Sequence, residues 1–154
     1  AIFIFILAHS SPLHYFELKE EKPHGIVEGS NHKPVVNYLR PRIDDGDVLI
    51  SSTPSLTAWY LENGVDRINY SINSVASVNI SGELINPEVG LKSIETKQEM
   101  KKIMSNSSGW IVASSSFYQD HKVNPDLRNF IVKNSRKYEN KSWRQVDLYR
   151  FRTE

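Results

Sequence analysis

One stretch constrains the fold more than any other. It runs Asp44-Asp45-Gly46-Asp47-Val48-Leu49-Ile50-Ser51-Ser52-Thr53-Pro54, then Leu56 to Glu62, and ends at Asn63-Gly64. A polar turn leads into a short apolar run, the pattern of a buried strand. Thr53 suits a helix N-cap, and Pro54 suits the first helical position, where a missing N–H costs nothing. Asn63-Gly64 is a C-terminal stop signal. The chain must therefore pass from a buried strand straight into a helix.

The same alternation recurs downstream. Arg67 to Ile72 reads as a second strand, and Val78, Ile80, Leu84 and Ile85 as short extended pieces around Gly82. Thr96-Lys97-Gln98-Glu99 matches a capping box, and Met100, Ile103 and Met104 give the following helix its apolar side. Gly109 precedes a strong strand, Trp110-Ile111-Val112-Ala113. Asn124-Pro125 starts another helix, with Leu127, Phe130 and Ile131 on its face. Val146 to Phe151 alternates as a strand with one wetter face. Upstream, Pro34 opens a short helix carrying Val35, Val36 and Leu39, which Pro41 stops. Strands alternating with helices predict an α/β fold, a mainly parallel Rossmann-like sheet with helices on both faces, as a single compact domain over residues 33–152. The length of 154 residues suits one core of that kind.

The N-terminus differs in character. Ala1-Ile2-Phe3-Ile4-Phe5-Ile6-Leu7-Ala8 is wholly apolar, yet far shorter than the ~20 residues a bilayer span needs. It fits an N-terminal apolar strand, the remnant of a signal-peptide core, or the end of a membrane span. The chain opens on Ala rather than Met, which reads as a fragment or a processed chain. Residues 9–32 mix His, Lys, Glu, Pro and Gly without a period and read as a connector.

Composition narrows the chemistry. There is no cysteine, which excludes disulfide scaffolds, Cys-ligated zinc, iron–sulfur clusters and thiol catalysis. A net charge of +1 gives no electrostatic case for nucleic acid as a partner. Phosphate-loop, dinucleotide-binding, zinc-protease and nucleophile-elbow motifs are all missing from the sequence. His9, His14, His24 and His32 crowd the connector without regular ligand spacing and read as loop histidines. Asp44, Asp45 and Asp47 resemble a calcium cluster, but no EF-hand pattern follows, so a polar turn is the reading. Trp59 and Tyr60 could stack on sugar; aromatics on a helix also serve the core.

Topology supplies the best site candidate. Ligands of open parallel sheets bind beyond the carboxyl ends of the strands. Two loops would meet there, Ser51-Ser52-Thr53 and Ser114 to His121. The candidate ligand-binding residues are Ser51, Ser52, Thr53, Ser115, Ser116, Tyr118, Asp120 and His121, a set suited to a sugar or a phosphate. Local capping and loop hydrogen bonding is the plain alternative for the hydroxyls. Four Asn-x-Ser sequons occur, at Asn69, Asn79, Asn106 and Asn140. Asn79 and Asn106 fall in accessible-looking segments and are the glycosylation candidates; Asn69 lies inside a predicted strand.

The order of segments carries a resemblance. An apolar N-terminus and a connector precede Pro34-Val35-Val36-Asn37-Tyr38-Leu39. Then come Asp45-Gly46-Asp47-Val48-Leu49-Ile50-Ser51-Ser52-Thr53-Pro54 and Trp59-Tyr60-Leu61 with Gly64, and later Ile94 with Thr96, Gly109-Trp110-Ile111-Val112, and Val146-Asp147-Leu148-Tyr149-Arg150. Over most of residues 30–152 this resembles the C-terminal extracytoplasmic domain of multi-span membrane glycosyltransferases similar to dolichyl-phosphate-mannose protein mannosyltransferases. The resemblance implies hexosyl transfer from a polyprenyl-phosphate-linked sugar, with the catalytic carboxylates in upstream membrane loops that no position here matches. No catalytic residue is therefore assigned to this chain. It further implies an accessory role in acceptor or glycan recognition, and an upstream membrane domain of the same chain as partner. The domain would sit on the extracytoplasmic side of the membrane. No cofactor is expected in this chain, any divalent metal belonging to the membrane portion. Two rivals stand beside it: a free-standing α/β domain with a sugar or phosphate at the strand edge, and a surface interaction module.

Overall fold

The computed structural model describes residues 31–61, 64–72, 77–140 and 143–153. The expectations for residues 1–8 and for the connector up to residue 30 lie outside the described residues. Helix α1 spans His32–Leu39, so the ordered helix takes in the last residue assigned to the connector. Its Val35, Val36 and Leu39 are fully buried. Strand β1 is Val48–Ser51 and helix α2 is Pro54–Tyr60, with Pro54 in the first turn as expected; the helix ends before the expected Glu62, because Leu61 turns extended. The expected strand at 67–72 is cut short, because Gly64–Arg67 closes into a 3-10 turn and β2 is only Tyr70–Ser71.

The extended pieces around Gly82 form a hairpin, β3 Val78–Ile80 and β4 Glu83–Asn86, followed by β5 Leu91–Lys92. Helix α3, Lys97–Asn106, carries the full capping box. Thr96 Oγ1 accepts from the Glu99 N–H at 3.2 Å, and the Glu99 carboxylate accepts from the Thr96 N–H at 3.1 Å. Strand β6 is Gly109–Ser114. Helix α4, Pro125–Asn134, starts with the Asn124 side chain accepting from the Asp126 N–H at 2.9 Å. Strands β7, Arg136–Tyr138, and β8, Val146–Phe151, complete the chain.

The fold is mixed α/β. Five strands form one sheet in the order β2-β1-β6-β8-β7, and β3-β4-β5 form a separate antiparallel sheet. β1 pairs in parallel with β2 and β6, whereas β6–β8 and β7–β8 are antiparallel. The expected parallel arrangement thus holds for one half of the main sheet, and the other half is a hairpin. Helix α4 returns the chain so that β7 runs in the same direction as β6, and the seven residues between β7 and β8 are too few for another crossover, so β8 folds back antiparallel between them.

Helices cover both faces. On one, Ile50, Ile111, Ala113, Tyr149 and Phe151 pack with Met100 and Met104 of α3 and Leu127 and Ile131 of α4. On the other, Leu49, Trp110, Val112 and Leu148 pack with Val35, Val36 and Leu39 of α1 and Ala58 of α2. The alternation along β8 therefore separates two buried faces, not a dry face and a wet one: Tyr149 and Phe151 are each 2% exposed. Strands β1, β6 and β8 lie side by side, with Leu49 opposite Trp110 and Trp110 opposite Arg150. Gly109 is required at the start of β6, since a Cβ there would overlap the Val48 carbonyl oxygen and fall 2.6 Å from Phe151 Cζ.

Candidate functional site

β1 and β6 are parallel neighbours, so the loops that leave them emerge at the same sheet edge. The two serine-rich loops meet as the topology predicts. Ser52 Oγ accepts from the Ser114 N–H at 2.9 Å and lies 3.0 Å from Ser114 Oγ. Ser114 Oγ is 2.7 Å from Ser116 Oγ, which in turn donates to the Ser52 carbonyl at 3.4 Å. Ser51 Oγ is 2.8 Å from Thr57 Oγ1 and accepts from the Thr53 N–H at 3.1 Å. Ser51 and Ser52 have no exposed surface, and Ser114 and Ser116 are buried. These hydroxyls satisfy one another, so the network ties β1 to β6 and presents little of itself to a ligand.

His32, read from the sequence as a loop histidine, instead opens helix α1 and seals this network, because Thr53 gives its buried ring a partner. Its Nε2 lies 2.8 Å from Thr53 Oγ1, and the residue is 2% exposed. Burial pushes its imidazole down to about 4, so the ring is neutral at pH 7. Thr53 makes no side-chain cap to α2; its hydroxyl goes to His32 instead.

Beyond the network the edge opens onto a second cluster. Tyr118 ends the 3-10 turn Ser115–Tyr118 and is 43% exposed. Its hydroxyl donates to Asp147 Oδ2 and lies 2.8 Å from Tyr149 OH. Asp147 and Tyr149 share one face of β8, which starts where β6 ends. Lys137 Nζ of β7 is 3.1 Å from Asp147 Oδ2 and 2.7 Å from Glu139 Oε1. The Tyr118 ring meets the buried Phe117 edge-on at 5.1 Å. Burial first, then the neighbouring Asp147, pushes the Tyr118 phenol well above its ordinary value, and burial raises Tyr149 also. The hydrogen bond to Glu139 holds the Lys137 ammonium above its usual range. At neutral pH the cluster offers neutral phenols and a cation around the Asp147 carboxyl group, with Glu139 on the far side of the cation. That suits hydrogen bonding to a polyol.

The remaining candidates scatter. Ser115 is half-buried, and His121 is exposed. Asp120 pairs with Arg128 at 2.7 Å. The Asp44–Asp47 segment is a turn whose acid is used structurally. Asp47 Oδ2 accepts from Arg150 at 2.5 Å and from Trp110 Nε1 at 3.2 Å, with the Arg150 guanidinium 4.7 Å from the Trp110 ring centre. Burial pushes Asp47 up, but the Arg150 bond and charge, the Asp44 N–H and Trp110 outweigh it and leave the carboxyl below its ordinary value. Among the described residues, no group of three or more His, Asp or Glu could hold a metal ion, and no helix is long and apolar enough to cross a membrane. A groove of about 300 Å³ lies away from the serine loops, between Tyr70, Ile94, Ile103 and Lys102, with Asn106 at its rim.

His32, Lys137, Asp147 and Tyr149 are the site residues that sequence reasoning passed over. Asp147 and Tyr149 carried a signal, since two residues apart in a strand means one face. His32 and Lys137 carried none, because their neighbours come from distant segments. Compared with protein-family models, curated proteins and solved structures, the chain matches none of them.

Proposed function

We propose that this chain is an extracytoplasmic accessory domain of a membrane glycosyltransferase that draws its sugar from a polyprenyl phosphate, and that it recognises glycan or acceptor without being catalytic itself. The observation that carries this reading is the Tyr118–Asp147–Tyr149–Lys137 cluster at the carboxyl edge. An exposed aromatic ring beside a carboxyl group and an ammonium provides a stacking surface together with donors and acceptors for sugar hydroxyls. The class of enzyme comes from the sequence resemblance, and the Asp47–Trp110–Arg150 packing supports it by giving its three strand segments one structural reason to occur together. In this reading β2–β1–β6 is a Rossmann-like parallel unit to which the β7–β8 hairpin has been added.

Two measurements test the proposal. Native cells are fractionated and probed with an antibody against this domain. The expected band is in the membrane pellet, is released only by detergent, and is much larger than 17.7 kDa; a soluble band of the domain's own mass refutes the reading. Glycan binding by the detergent-extracted protein is then compared with that of Tyr118→Ala. A drop of about tenfold, the equivalent of about 1.4 kcal/mol for one lost stacking and hydrogen-bonding partner, is expected. Equal binding removes the cluster from consideration.

A further inference from the structure

We propose that Asn79 is an N-linked glycosylation site, the sequon that this fold presents in a usable form, and that the glycan guards the open edge of β3. The proposal rests on the extracytoplasmic reading above. Three sequons lie wholly within the described residues, and the structure treats them differently. Asn69 lies just before β2, not inside a strand as expected, and is exposed, but its Oδ1 accepts from the Leu49 N–H at 2.8 Å, its own N–H donates to the Leu49 carbonyl at 2.8 Å, and the sequon hydroxyl of Ser71 has no exposed surface. The Asn106 amide nitrogen is spent on the Lys102 carbonyl at 2.7 Å, in the last turn of α3. Its Ser108 hydroxyl accepts from the Thr153 N–H at 3.4 Å.

Asn79 is arranged otherwise. It is the central residue of β3 and is exposed, as are Ile80 and Ser81. Ser81 and Gly82 make a two-residue hairpin turn with φ of 54° and 89°. Asn79 Oδ1 accepts from the Gly82 N–H at 3.0 Å, which folds the sequon back on itself. Its Nδ2 has no hydrogen-bond partner among the described residues, so the nucleophilic nitrogen stays available.

A second observation points the same way. β3 is the outer strand of its sheet and, among the described residues, pairs only with β4. Val78 and Ile80 are 45% and 55% exposed, and β3 contains no Lys or Pro. A bare apolar edge of this sort invites pairing with another chain, and proteins blunt such edges. A bulky hydrophilic glycan on the middle residue would block an incoming strand.

The donor is a polyprenyl-phosphate-linked oligosaccharide, acted on by a separate transferase. The bond formed joins Asn79 Nδ2 to the anomeric carbon. The bond broken joins that carbon to the phosphate oxygen, and the lipid phosphate departs with the electron pair. The amide nitrogen releases one proton, and nothing is oxidised or reduced.

The test uses the full-length protein purified from its native cells. Peptides spanning Asn79 are analysed by mass spectrometry, and external protease on intact cells reports which side the domain faces. Variants Asn79→Gln and Ser81→Gly are compared with wild type; the latter removes the sequon hydroxyl yet suits the positive φ. Expected is an externally accessible domain whose Asn79 peptide carries a glycan, lost in both variants. An accessible domain with unmodified Asn79 overturns this inference alone, even where another sequon is occupied. A domain protected from external protease, with no sequon occupied, overturns both this inference and the location on which it rests.

Discussion

Acid should destabilise this protein through His32. The ring is buried against Thr53 with a folded value of about 4 against 6.5 when free. Below pH 6.5 the unfolded chain takes up the proton first, and the folded chain does not follow until about pH 4. The stability that depends on a neutral His32 is therefore complete above pH 6.5 and is lost as pH falls to 4. Linkage puts the loss at about 2 kcal/mol at pH 5 and about 3 kcal/mol at pH 4, a large share of the 5–15 kcal/mol typical of a domain. The assay is urea unfolding across pH 7 to 4 for wild type and His32→Gln. Carboxylates titrate in both proteins, so the difference between the curves isolates the imidazole. The variant should be somewhat weaker at pH 7 and should lose about 3 kcal/mol less on acidification. Parallel curves, or a His32 ring that titrates near 6.5 in the folded protein by NMR, would refute the reasoning.

Gly109→Ala should cost about 3 kcal/mol or more, because the added methyl meets the Val48 backbone and Phe151 in the middle of the sheet; a urea midpoint unchanged from wild type would contradict this. Asp47→Asn should cost about 3 kcal/mol by leaving Arg150, whose side chain is 10% exposed, without its buried counter-charge. Pairing it with Arg150→Met in a double-mutant cycle should recover part of that loss, and strict additivity would mean the pair is not coupled. Since the Asp47 carboxyl is held below its ordinary value, its contribution is present above the unfolded value near 3.8 and disappears as pH falls through the folded one. Thr96→Ala should lower stability by about 1 kcal/mol through loss of the capping box on α3, measured by thermal or urea unfolding.

Local signals translated well where one short segment contained the whole physical cause. Thr96 and Glu99 are three residues apart, and both halves of their capping box form. Asn124 and Asp126 behave likewise. Thr53 shows the limit: it is placed as a cap, but a histidine 21 residues upstream claims its hydroxyl. β7 was not legible, since Arg136-Lys137-Tyr138 has no apolar run. It becomes a strand because Tyr138 lies against Trp110, with ring centres 5.6 Å apart, and Lys137 reaches Asp147. At the candidate site the sequence named the edge where the loops after β1 and β6 meet, and Tyr118 lies there. It also offered Ser51, Ser52 and Ser116, whose burial follows from how closely β1 and β6 approach.

What the sequence determined alone is the set of elements made by hydrogen bonds and side-chain spacing within a turn or two: the strand-then-helix order at 48–60, the capping box on α3, the Asn124 start and the apolar runs that became β1, β6 and β8. The tertiary structure decided how those pieces face each other. It turned β8 antiparallel, buried both of its faces, closed the serine hydroxyls on one another and set His32 beside Thr53. It also placed Arg150 on Asp47 across 103 residues of chain. The physical reason is range: caps and periodicity are properties of neighbouring residues, whereas burial and the pairing of charges depend on surfaces that exist only once distant segments have packed.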